Sequence, residues 1–128
     1  MNSLQIGEYI YNILSSNEEL TNLITKITPI VADNDTALPF AVYKRVSLNS
    51  NRCKDGTFED VTMVEIVVVS ASYSQGIEIA NIIRDCMVFT DRTVGDMFIN
   101  ESTLSQATEE YSNNAYIQKL QFTITITK

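Results

Sequence analysis

Hydrophobic residues recur at helical spacing in three segments of the chain. In each segment the later apolar positions lie three, four, seven or eight residues after the first one and form one stripe on a helix. The stripes are Ile6, Ile10, Ile13 and Leu14; Leu20, Leu23 and Ile24; and Ile79, Ile82, Ile83 and Cys86. Ser3 and Ser74 are predicted to cap the first and third helices. Ser16 and Glu19 have the spacing of a capping box and would begin the second.

Alternation of apolar and polar residues with period two predicts strands elsewhere. In the clearest one, 120–127, four apolar residues alternate with Gln and Thr: Leu120, Phe122, Ile124 and Ile126. The segment 40–49 also alternates, and its core face is assigned to Phe40, Val42, Val46 and Leu48. The segment 58–73 is apolar on both faces around 64–69, which is typical of a central strand covered on both sides.

The remaining strands are weaker. The segment 27–32 is predicted to be a short strand, and 90–95 is predicted to be a loop. The segment 97–111 is predicted to be a strand with a polar second half, which would make that half an exposed edge. The predicted order is α-α-β-β-β-α-β-β, in one domain spanning 1–128.

This order of elements predicts an α+β fold with two layers. We expect a single mixed or antiparallel sheet with helices packed on one face. The dipeptide Asp55–Gly56 is a strong hairpin signal. Its two strands could reach over about 30 Å and form a long β-hairpin arm.

Charged residues of both signs gather on this arm. They are Arg52, Lys54, Asp55, Glu59 and Asp60, and Arg45 is expected near the root of the arm. Exposed ion pairs contribute only about 0–1 kcal/mol to stability. The same charges at an interface set register and steer encounter. We therefore predict that these six residues form an assembly interface.

Composition narrows the function further. The chain has 128 residues, a net charge of −7 and no histidine. Its acidity disfavours nucleic-acid binding by bulk electrostatics, and its longest apolar run, 66–69, is too short to cross a membrane. The N-terminus has no basic region of a signal peptide, so a cytoplasmic, soluble protein is expected. Cys86 is expected to be a buried thiol and Cys53 to be exposed, without a disulfide between them.

The residues that could carry chemistry do not converge in the sequence. Lack of histidine excludes imidazole metal sites and Ser-His or Cys-His nucleophiles. The acidic run 33–35 fails the calcium-loop pattern, because Leu38 and Lys44 stand where Gly and Glu are needed. Adjacent acids such as Glu109 and Glu110 point to opposite faces of a strand. We expect no catalytic, cofactor or metal site. A structural protein, a small α+β regulatory or ligand-binding domain, and an enzyme using carboxylate or lysine chemistry remain as alternatives.

Five features in order resemble one protein family. They are the N-terminal amphipathic helix through Ile6–Ile13; the strand opening Leu38-Pro39-Phe40-Ala41-Val42-Tyr43; the Asp55–Gly56 turn; the strand 64–70 that leads to Tyr73-Ser74 and the helix with Ile79-Ala80 and Ile83-Arg84; and the last strand with Phe122. The chain thereby resembles the tail-completion, or tail-terminator, proteins of long-tailed bacteriophages and prophages. The family often has alanine where this chain has Gln75–Gly76, and the stretch 97–111 matches least.

This resemblance implies a structural protein and not an enzyme. Family members form a ring, commonly of six copies, on the last ring of the tail tube. The ring ends tube growth and joins the tail to the head connector. The implied partners are further copies of the chain, the tail tube protein and the head connector protein, without a membrane or specific nucleic-acid binding. The implied locations are the bacterial host cytoplasm during assembly and the virion tail.

Overall fold

The computed structural model describes residues 2–52 and 54–127, with Phe58 described by its backbone. After a short 3-10 helix, Ser3–Gln5, the helices are α1 (Ile6–Ser15), α2 (Glu18–Leu23) and α3 (Tyr73–Met87). The strands are β1 (Lys26–Pro29), β2 (Phe40–Arg52), β3 (Phe58–Ser70), β4 (Phe89–Val94), β5 (Met97–Ser112) and β6 (Ala115–Thr127).

All six strands form one mixed sheet in the order β1-β2-β3-β6-β5-β4. β1 runs parallel to β2, and every other neighbouring pair is antiparallel. The helices cover one face, which we call the helix face, and the other is the open face. The predicted α+β fold with one mixed sheet, helices on one face and a long β2–β3 hairpin is confirmed.

The core lies between the helix face and the stripes of the helices. The predicted apolar stripes of β6 and α3 pack against each other, and their residues are buried in one cluster: Leu120, Phe122, Ile124, Ile126, Ile79 and Ile83. A strand with period two and a helix with period 3.6 each present one apolar side, and these two sides meet. Cys86 is only half-buried at the edge of this core, contrary to the expected buried thiol.

Two helices begin at caps near the predicted ones, whereas Asn2, and not Ser3, caps the N-terminal 3-10 helix and no side chain caps α1. Ser72, and not Ser74, caps α3 by accepting a hydrogen bond from the Gln75 amide. Asn17, and not Ser16, caps α2 by accepting from the Leu20 amide at 2.9 Å. In both cases a neighbouring polar residue has the same capping chemistry, so the sequence pattern leaves one or two residues of uncertainty.

The segment 90–95, predicted as a loop, contains most of β4. It pairs antiparallel with the first part of β5, from Phe89 opposite Ser102 to Val94 opposite Met97. Its four central residues are exposed, whereas Phe89 and Val94 at its ends are partly buried against the core. The prediction was wrong because backbone pairing to a neighbouring strand, and not burial, holds the polar centre of this element.

The predicted core face of β2 is reversed. Ala41 and Tyr43 are buried on the helix face, whereas Phe40 and Val42 lie half-buried on the open face. A register shift between Arg45 and Ser47 then exchanges the faces along the strand. Alternation alone cannot say which of two apolar sets faces the helices.

The open face of β3 departs from the expected double coverage. The residues of β3 that face the helices are buried, whereas Val61, Met63, Val67 and Val69 on the open face are only half-buried. No helix covers them in the described ranges 2–52 and 54–127. Within those ranges, too, no helix is both long enough and apolar enough to cross a membrane.

Candidate assembly surface

The β2–β3 hairpin is joined to the rest of the sheet along most of its length. Its ladder extends to Arg52 opposite Phe58. β6 pairs with β3 as far as Thr127 opposite Glu59. Only the tip and the last residues of β2 therefore extend beyond β6, and the arm projects less than the sequence suggests.

Two cations at the end of this arm are available to a partner. Arg52 and Lys54 are both exposed. Neither forms a salt bridge within the described part of the chain. Their charge is therefore not neutralised by a direct ion pair there.

The acidic residues of the arm have structural contacts. Asp55 accepts hydrogen bonds from the Thr57 hydroxyl at 2.6 Å and from the Thr57 amide at 3.1 Å, and these bonds lower the pKa of Asp55. Asp60 accepts a hydrogen bond from the Ser50 hydroxyl at 2.6 Å. Glu59 is half-buried beside it in the ladder. Asp55 therefore shapes the turn, and Asp60 links the two strands.

Arg45 lies apart from the other predicted interface residues. Its Nη1 donates a hydrogen bond to the Leu4 carbonyl at 3.1 Å, beside the start of α1. Seven residues of extended chain, about 23 Å, separate it from Arg52. It lines a surface groove of about 520 Å³ together with Glu8, Tyr43 and Lys44. The structure thus groups five of the six predicted residues at the arm and places Arg45 elsewhere.

The open face combines apolar and charged residues. Phe40, Val42 and Val67 line a hollow of about 370 Å³ beside the segment 30–32. Ile30 and Val31 in that segment are 74% and 72% exposed. Two salt bridges cross the same face: Lys44–Glu65 at 4.0 Å and Lys119–Glu110 at 3.1 Å. Exposed apolar side chains with a polar surround are typical of an interaction surface.

The second half of β5 is an unpaired edge. β4 accompanies β5 only from Met97 to Ser102. The residues beyond, 103–112, pair with β6 on one side and with no strand of the described chain on the other. Nearly all of them are exposed. This is the exposed edge that the polar second half of the segment 97–111 predicted.

A cluster of tyrosines and carboxylates at the end of β5 was not found from the sequence. We call it the tyrosine pocket, a hollow of about 250 Å³ lined by Tyr73, Glu109, Glu110, Tyr111, Tyr116 and Gln118. Tyr111 and Tyr116 face each other across the β5–β6 hairpin, with ring centroids 4.9 Å apart. Tyr73, from the first turn of α3, lies 5.8 Å from Tyr116. The hairpin turn at Asn113–Asn114 could have indicated the first pair, but not the third ring.

Glu109 organises this pocket. The Tyr73 hydroxyl lies 3.0 Å from both carboxylate oxygens, and the Gln118 amide donates to one of them at 3.0 Å. The hydrogen bond to Glu109 and its negative charge raise the pKa of Tyr73. Because the carboxylate stabilises the protonated hydroxyl, Tyr73 is held as a neutral donor.

The described residues contain no group of three or more Cys, Asp or Glu residues placed to hold a metal ion. Cys86 is a free thiol that accepts a hydrogen bond from the Asn17 amide at 3.1 Å, and burial raises its pKa. A raised thiol pKa disfavours the reactive thiolate. The prediction for Cys53 falls outside the described residues.

Comparison with known proteins gives a match in fold. No model of a known protein family matches the chain, and no curated protein sequence matches it. Among solved structures, a chain of the virion of a native gene transfer agent particle superposes with a TM-score of 0.81. The match covers 93% of this chain and 92% of that chain at 15% sequence identity. At this identity the likeness shows a shared fold.

Proposed function

We propose that this protein is a structural component of a phage-like virion. In this role it forms a ring on the end of a tail tube, stops tube growth and joins the tail to the head connector. The observation that carries the proposal is the match of nearly the whole fold to a chain of a virion particle. The sequence resemblance to tail-completion proteins supports the same role independently.

The surface of the molecule suits such a role. A growing tube adds subunits as long as its end offers a surface that the next ring recognises. A ring of a different chain ends that addition by presenting a new face. This chain offers an unpaired edge on β5, an open sheet face with exposed apolar residues, and a charged hairpin arm. Sheet edges and arms of this kind contact neighbouring chains in assemblies.

Deletion of the coding sequence in cells that produce the particles tests the proposal. We expect DNA-filled heads and separate tails in electron micrographs, with many tails longer than normal, and restoration by the gene supplied in trans. Normal, joined particles from the deletion strain would contradict the proposal. They would favour the alternative of a small regulatory or ligand-binding domain.

The role of the arm has its own test. In the variant Arg52→Glu with Lys54→Glu, we expect the free energy of unfolding to change by about 0.5 kcal/mol, because both side chains are exposed. Tail joining should fall sharply. The matched control is Lys26→Glu with Arg84→Glu, which changes the net charge equally at two other exposed positions. Equal joining by both variants would show that the arm is not an interface.

A further inference from the structure

We infer that the tyrosine pocket binds the Arg52 side chain from the β2–β3 arm of a second copy of this chain. The inference rests on the proposed function, because it names the contact by which neighbouring copies join. It concerns a site that neither the sequence resemblance nor the fold match assigns.

The chemistry of the pocket selects a cation with an extended flat surface. Glu109 forms no salt bridge within 2–52 and 54–127, so no direct ion pair neutralises its carboxylate there. A carboxylate has about four lone-pair sites. Tyr73 and Gln118 supply only two donors. The Glu109 carboxylate can therefore accept further hydrogen bonds from a donor on another molecule.

The aromatic rings favour arginine over lysine. Tyr111 is 60% exposed and Tyr73 is 46% exposed, so their rings are accessible at the mouth of the pocket. A guanidinium can stack on a tyrosine ring while its N–H groups bind a carboxylate, whereas an ammonium is a compact, strongly hydrated charge. Aromatic residues in such clusters are frequent anchors of protein interfaces.

Among the chain's own arginines, Arg52 fits best. The Arg45 guanidinium donates to the Leu4 carbonyl, and that of Arg92 lies 3.9 Å from the centroid of the Phe89 ring. Arg84 lies on the body of the molecule, in the last turn of α3. Arg52 is exposed at the end of a projecting hairpin and can reach a neighbour.

The occupant must come from another copy. Ser70 pairs with Tyr116 at the pocket end of the β3–β6 ladder, and Glu59 pairs with Thr127 at the arm end. Eleven residue steps at about 3.3 Å place these ends about 36 Å apart. A chain cannot therefore fill its own pocket. A contact between opposite ends is head-to-tail, and head-to-tail contacts close into rings when the rotation permits.

Photo-cross-linking tests this directly. Benzoylphenylalanine replaces the exposed Tyr111 in the full chain. Two samples are irradiated. One is concentrated purified protein mixed from isotopically labelled and unlabelled copies, and the other is particles from producing cells. We expect links to the segment 46–60 of another copy in at least one sample. Links only to other segments or other proteins, or no link in either sample, would overturn the inference.

Charge exchange identifies the pair of residues. We expect Arg52→Glu and Glu109→Arg each to lower the cross-link yield by roughly tenfold or more, since charge-assisted contacts at interfaces are worth at least that factor. The two changes together should restore much of the yield. Arg84→Glu and Glu78→Arg are controls at exposed positions of α3 and should change little. Failure of the double variant to recover, with each single variant folded by circular dichroism, would overturn the pairing.

The result is separable from the proposed function. Copies that link in solution but are missing from particles would contradict the virion role and support the contact. Copies that are present in particles but link elsewhere would overturn the contact and leave the virion role supported.

Discussion

Val67 and Val68 are neighbours on β3, yet they lie in different environments. Val68 is completely buried on the helix face, and Val67 is half-buried on the open face. The same contrast runs along β3 and β6. On the helix face, apolar residues meet the stripes of α1 and α3. On the open face, apolar residues alternate with Lys, Glu, Gln and Thr. Apolar residues on the helix face therefore belong to the core, whereas those on the open face form accessible surface.

Truncation of the core on the helix face should have the largest effect on stability. Phe122 lies on β6 and is fully buried in the core that β6 shares with α3. Phe122→Ala should lower the free energy of unfolding by about 3–5 kcal/mol, because it removes a ring and leaves a cavity. Chemical denaturation measures this. Gln121→Ala, the adjacent residue on the open face, is the control and should lie within about 0.5 kcal/mol of the parent. Similar costs for the two variants would contradict the division into two faces.

A matched pair of substitutions sharpens the comparison. Val68→Ala and Val67→Ala remove the same atoms from adjacent positions. We expect Val68→Ala to lower the free energy of unfolding by about 2–3 kcal/mol, because burial is lost and a cavity remains. Val67→Ala should lower it by about 1 kcal/mol or less. The difference between the denaturation midpoints of the two variants measures this contrast, provided that the dependence of the unfolding free energy on denaturant is the same in both. A loss of unfolding free energy for Val67→Ala as large as that for Val68→Ala would mean that the open face is covered in the isolated chain.

The buried face of a strand was predictable where only one face carries apolar residues, and it was not predictable where both faces do. β6 follows from the sequence because strict alternation over 120–126 permits only one buried face. In β2, both faces carry apolar residues, and the register shift after Arg45 exchanges the two faces along the strand. That shift leaves no mark in the hydrophobic pattern.

The candidate site shows the same limit. The arm was predictable, because Asp55 and Gly56 lie between two segments of strand pattern. The tyrosine pocket was not, because Tyr73 begins a helix 36 residues before Glu109 and meets it only in the folded chain. Contacts between residues distant in the sequence depend on topology, which residue spacing does not encode.

Titration of Tyr73 tests the pocket, which lies where the helix face ends. Glu109 raises the pKa of Tyr73 above the ordinary value of about 10. The contribution of this contact to stability is therefore present below that value and is lost as pH rises through the folded-state pKa. Tyrosine carbon chemical shifts, assigned with Tyr73→Phe, measure the titration. Glu109→Gln should lower the pKa of Tyr73 toward the ordinary value, and no change in that variant would contradict the assigned contact.

The ion pairs of the open face should have the smallest effects, and they test whether this face contributes to the stability of the isolated chain. The Lys119–Glu110 atoms are 3.1 Å apart and the Lys44–Glu65 atoms are 4.0 Å apart, both in contact with solvent. Double-mutant cycles to alanine should give coupling energies within about 0–1 kcal/mol, larger for the closer pair. Added salt should reduce both, because exposed charges are screened. A coupling energy well above this range, or one insensitive to salt, would show that the pairs are shielded from water. The open face would then be closed in the isolated chain, and its apolar residues would belong to the core.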